Sequence, residues 1–126
     1  MNQNFQFMSV VNLQDKFASF HDHWHPRIVG ALNGQEVKLA KLKGEFVRHQ
    51  HEAEDEMFLV IEGRLIMRYD DREEIIEAGE FVIVPRGVYH QPIAPEEVKV
   101  MLFEPAGTLN TGDADSDRSR PDLERI

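Results

Sequence analysis

The sequence predicts an all-β fold, a sandwich or a barrel, preceded by one short helix. Segments of four to seven residues rich in Val, Ile, Phe and Tyr recur from Arg27 to Phe103. Glycine, proline or paired aspartates separate them at short, even intervals, which is the pattern of many short strands rather than of helices. Only one stretch, near the start, carries apolar residues at helical spacing.

That stretch is residues 12–20. Asn12 is a good N-cap, Asp15 stands in the first turn, and Leu13, Phe17 and Phe20 fall on one helical face. The period then changes to that of strands. Asn33-Gly34 is a strong hairpin signal and joins a strand at 27–32 to one at 36–42. Gly44 punctuates, and strands are expected at 46–51, 56–61, 65–69, 73–76, 81–84, 88–92 and 98–103, with Pro95-Glu96 as the last turn. From Gly107 the chain has few large apolar residues and aspartates at 113, 115 and 117, so it cannot offset its own ordering entropy. The expected organisation is a helix and lead-in segment over 1–26, a barrel over 27–106, and an acidic, flexible tail over 107–126 that is mobile or draped on the surface.

A chain of 126 residues forms one core. By surface scaling such a domain buries about two-thirds of the area its unfolded chain exposes, enough for stability without cross-links. The absence of cysteine excludes a disulfide framework, a thiolate metal site and a cysteine nucleophile. A formal charge of −9 disfavours nucleic acid and anionic lipid as partners. No apolar run is long enough for a membrane span, and the first twelve residues show no basic and apolar leader pattern, so a cytoplasmic address is expected.

Six histidines in so short a chain are its most informative feature. On a strand at 46–51, His49 and His51 point to the same face with Cα atoms about 6.6 Å apart, from where two imidazoles can converge on one ion. Val47 shares that face. Glu56 opens the next strand with Phe58 and Val60 on its side and can reach the same space. His90 is distant in sequence and joins them only if the sheet closes on itself.

The run Gly44-Glu45-Phe46-Val47-Arg48-His49-Gln50-His51, four residues, Glu56, six residues and Gly63 resembles the first signature of the cupin superfamily. Gly79, five residues, Pro85, one residue, Gly87, two residues and His90 resemble the second, with 15 residues between the two. The tail residues from Glu104 to Asp113 are similar to small single-domain cupins of the mannose-6-phosphate-isomerase-like type. Two departures are a spacing of four residues between Gly44 and His49 and an alanine, Ala94, where an asparagine often closes the second signature. The resemblance implies a double-stranded β-helix, the jelly-roll barrel of cupins, commonly a homodimer. It also implies one divalent transition metal (Mn, Fe, Co, Ni, Cu or Zn) held by His49, His51, Glu56 and His90. Four protein ligands on an octahedral ion leave positions for a small-molecule substrate.

The function expected from this is a metal-dependent enzyme of isomerase or dioxygenase type acting on a small polar organic molecule, with Glu56 the ligand able to take a proton. The alternative is a non-catalytic, metal-anchored sugar or carboxylate binder serving as sensor or carrier. Blander readings apply elsewhere. His21, His23 and His25 are expected in a loop and turn, as surface residues or at a subunit contact, and Trp24 beneath the amino-terminal helix. Phe58, Val60, Met67, Phe81 and Ile83 are expected as core. Tyr89 and Arg48 should face away from the histidines, and Arg86 should be solvated in a turn.

Overall fold

The computed structural model describes residues 9–126; the lead-in and leader readings at residues 1–8 lie outside the described residues. The helix, α1, spans Leu13–Ala18, and Asn12 caps it by accepting a 2.9 Å hydrogen bond from the Asp15 N–H. It ends two residues before the expected Phe20, where Ser19 closes the last turn on the Lys16 carbonyl.

Seven strands follow: β1 Arg27–Leu32, β2 Gln35–Glu45, β3 Glu56–Glu62, β4 Arg64–Tyr69, β5 Glu73–Glu77, β6 Phe81–Val84 and β7 His90–Pro105. The β1–β2 hairpin turns on Asn33 and Gly34 with φ of 51° and 79°. Positive φ at both central residues matches the right-handed twist of the flanking strands and is what selects Asn-Gly here.

Strand β7 organises the barrel. It pairs with β2 along most of its length, with β4 through His90 to Ile93, and with β3 through Lys99 to Phe103. One strand thus exchanges neighbours halfway along, which folds the sheet over on itself in the manner of a jelly roll. The exchange occurs at Pro95-Glu96. Rather than the expected turn between two strands, these residues form an exposed bulge in one continuous strand, opposite the β2 irregularity between Leu42 and Gly44. Proline is tolerated there because a bulge residue owes no ladder hydrogen bond.

Residues 46–51 do not form the expected strand. The Phe46 N–H bonds to the Pro92 carbonyl, and His49 then exchanges both backbone hydrogen bonds with His90. Three steps along one segment oppose two along the other, so an extra residue breaks the pleat and the face alternation with it. Phe46 and His49 are both buried as a result.

The inner core runs through the barrel and includes Phe58, Val60, Leu65, Met67, Val98 and Val100, all at most 5% exposed. A smaller cluster lies outside the sheet, where Phe17 and Phe20 pack on Val29 and Leu39. Two expected core residues turn outward: Phe81 and Ile83 are 60% and 54% exposed on β6, which pairs only with β3, whereas Val84 faces in. Trp24 is not beneath α1. It belongs to the inner core, stacks on Phe46 at 4.6 Å, and donates its indole N–H to the Lys43 carbonyl.

The tail is draped along the barrel. Ile28 and Ile126 bind it near its end, through Ile28 N–H to Glu124 O and Ile126 N–H to Ile28 O. No helix among the described residues is long and apolar enough to cross a membrane.

Candidate metal centre

Three chain segments bring the four expected ligands together inside one end of the barrel. The paired hydrogen bonds between His49 and His90, 3.0 and 2.8 Å, lock these two backbones side by side, so their rings lie 4.3 Å apart. His51 follows where the chain leaves the ladder, its carbonyl held by the Gly87 N–H, and its ring stands 4.9 Å from that of His49. Glu56 heads β3 on the inward parity shared by Phe58 and Val60. One donor atom from each residue lies within 4.8 Å of every other, and all four side chains are at most 4% exposed.

The imidazoles are oriented in advance. His49 Nδ1 and His90 Nδ1 each lie 2.9 Å from the carbonyl two residues earlier, of Val47 and Val88. A carbonyl only accepts, so each Nδ1 carries the proton and each Nε2 presents a lone pair to the cluster. Burial, with the nearby His90, pushes the His49 imidazole down to about 4, leaving it in the neutral form that a metal ligand requires. Burial alone would raise the Glu56 carboxyl. Its contacts with Glu104, His51 and His90 outweigh that and hold it well below the ordinary range.

An internally satisfied polar cluster does not account for the geometry. Glu56 Oε1 lies 3.3 Å from His51 Nε2 and 3.6 Å from His90 Nε2, yet none of these three buried atoms has a hydrogen-bond partner. Converging acceptors left unpartnered in a dry interior are costly unless a cation fills the space between them. Three neutral nitrogens and one carboxylate oxygen suit a divalent transition metal, and the residues fit it.

Two cavities flank the cluster. One, of about 30 Å³, is lined by Trp24, Phe46, Phe58 and Leu42, with His49 and Glu56 on one wall. Asn110 from the tail also borders it, but its amide is already bonded to Arg118 O and Arg120 N–H. The other, of about 350 Å³, opens to the outside between His51, Glu52, Glu54 and Asp113.

A profile for the cupin domain matches residues 35–104, more than half of the chain. The chain belongs to the cupin family. A crystal structure of a cupin-2 domain containing protein from Shewanella frigidimarina is 45% identical, with a TM-score of 0.75 over 76% of this chain and 94% of that one. Protein NMB1881 from Neisseria meningitidis is 27% identical, with a TM-score of 0.72 over 78% of this chain and 100% of that one. The uncharacterized protein YdbB of Bacillus subtilis is 28% identical over 93 residues, 72% of this chain and 76% of YdbB. The cupin fold and the metal-suited cluster of His49, His51, Glu56 and His90 agree with the sequence reading.

Other residues divide. Tyr89 and Arg48 do face away, with the Arg48 guanidinium 4.0 Å above the Tyr89 ring. Arg86 pairs with Asp55 on the surface. His23 bonds Glu97, and His25 bonds Asp22; they do not gather into a second ligand set among the described residues. Sequence reasoning missed Trp24 as a chamber wall and Glu104 beside Glu56. Burial, with the Glu56 charge, pushes the Glu104 carboxyl well above the ordinary range despite Lys38, so Glu104 carries the proton of this carboxyl pair. Its parity with Leu102 and Val100 on β7 was the available signal.

Proposed function

We propose that this cupin is a metal-dependent enzyme of isomerase or dioxygenase type. Its substrate is a small organic molecule that chelates the ion through oxygen and turns an apolar end toward Trp24, Phe46 and Phe58. The observation that carries this reading is the set of unpartnered donors on His51, Glu56 and His90 beside an apolar chamber. A divalent ion bound there would supply Lewis acidity, or a site for dioxygen, next to the substrate. The protein's own part is to hold His49 and His90 in one tautomer, exclude water with aromatic walls, and keep a single proton between Glu56 and Glu104 for transfer.

The chamber narrows the substrate class. It is bordered by no lysine or arginine among the described residues, and its one non-ligand polar side chain, Asn110, is engaged within the tail. At about 30 Å³ the chamber has room only for a small apolar group beside the ion, which favours short keto acids or diketones over a bulky sugar phosphate.

The test is to load the protein with each candidate metal and follow oxygen uptake and isomerisation over keto acids, diketones, sugars and sugar phosphates. Turnover of an oxygen chelator that vanishes in His90→Ala is expected. Saturable binding without product would favour the sensor or carrier reading. We also propose a homodimer through the outer face of β3 and β6, where Ile83 and Phe81 stand exposed opposite Met57 and Leu59. Light scattering should give a dimer mass that falls in Phe81→Ser.

A further inference from the structure

The tail lies beyond the segment matched by the cupin profile, yet it touches the ligands' backbone. Asp113 donates its N–H to the Gln50 carbonyl at 3.0 Å, and its Oδ1 accepts the Gln50 N–H at 2.9 Å. Its Oδ2 accepts the Tyr89 hydroxyl at 2.7 Å and the Gln50 side-chain amide at 3.3 Å. Gln50 is the residue between His49 and His51, and Tyr89 immediately precedes His90. One carboxylate therefore ties together the two segments that carry all three imidazoles.

Gly112 shows how close the tail comes. A Cβ at this position would lie 2.3 Å from Gln50 O and 2.9 Å from His49 Cδ2, so any larger residue displaces backbone or the ligand ring. Its φ of 55° is also one that side chains with a Cβ rarely adopt. The segment is anchored independently of Asp113: Thr111 is fully buried and bonds Ser119, and the Arg118 guanidinium donates to the Glu45 carbonyl at 2.6 Å.

We propose that residues 109–113 are a structural wall of the metal centre and that Asp113 is a positioning residue, setting the His49, His51 and His90 geometry by clamping Gln50 to Tyr89. This inference rests on the metal-binding reading above. Residues behind metal ligands that fix ligand orientation typically change affinity by about 10- to 100-fold when removed.

The experiment uses the full chain and Co(II) as probe, with affinity from calorimetry and ligand geometry from the visible spectrum. Asp113→Ala should weaken Co(II) binding by about 10- to 100-fold and shift the absorption bands. Asp113→Asn keeps an oxygen for the Gln50 N–H and should restore most of the affinity. Asp115→Asn removes the same charge two residues along and should match wild type. If Asp113→Ala folds poorly, Tyr89→Phe removes only the hydroxyl arm and should still weaken binding and shift the bands. Wild-type affinity and spectrum in Asp113→Ala, or in Tyr89→Phe where that variant replaces it, would overturn the clamp while leaving the metal centre standing. A wild-type protein that binds no Co(II) would overturn both.

Discussion

Two polar groups share the inside of this barrel, and they are satisfied in opposite ways. In one, Lys38 is 1% exposed, donates to the protonated Glu104 at 2.9 Å and meets the Glu36 carboxylate at 3.8 Å, so the group is satisfied from within. In the other, His51, His90 and Glu56 aim their donor atoms at a common space and find no hydrogen-bond partner. Glu104 connects the groups, with one oxygen accepting from Lys38 and its carboxyl standing beside Glu56. The contrast separates scaffold from site: buried ionic groups that pair internally hold a fold together, whereas a convergent set of unpaired donors calls for something from outside.

Breaking the self-sufficient group should have the largest effect. Lys38→Met leaves Glu104 and Glu36 without their central cation and should cost about 3–5 kcal/mol in urea unfolding. Lys38→Met combined with Glu36→Met removes the stranded carboxylate as well and should recover much of that loss.

The second prediction concerns acid and the metal-free protein. His49 titrates near 6.5 unfolded and about 4 folded, so below 6.5 the unfolded chain takes up a proton that the folded chain refuses. Stability is therefore full above pH 6.5 and falls as the pH drops toward 4, by on the order of 3 kcal/mol from this group. Bound metal should flatten the profile through the upper part of that range, which chemical denaturation at stepped pH would show.

A smaller effect sharpens the distinction. Glu36 is the more distant carboxylate of the Lys38 group and also lies 3.9 Å from Arg125. Glu36→Gln leaves the Lys38–Glu104 pair intact and should change stability by about 1 kcal/mol, with metal affinity unaltered.

The site was legible in the sequence to a different depth than its surroundings. Fixed spacings among Gly44, His49, His51, Glu56, Gly79 and His90 pointed to one end of a closed barrel, and the ligands do meet there. The Asn33-Gly34 hairpin and the Asn12 cap were equally readable, because each is decided by two or three neighbouring residues. Longer-range arrangements were hidden. Pro95-Glu96 has the chemistry of a turn, and only the pairing of β7 with three partners turns it into a bulge. Lys38 and Glu104 are charged, so strand alternation had to be trusted over polarity to place them inside. Asp113 sits in a stretch too polar to fold alone, and its role exists only against Gln50 and Tyr89.

The central claim is that the convergent group binds an ion while the self-paired group does not. Elemental analysis after loading and desalting tests it on three proteins: wild type, His49→Ala/His51→Ala, and Glu36→Gln. The account predicts one divalent metal per chain in wild type and Glu36→Gln and essentially none in the double variant. Equal metal in wild type and the double variant would contradict it.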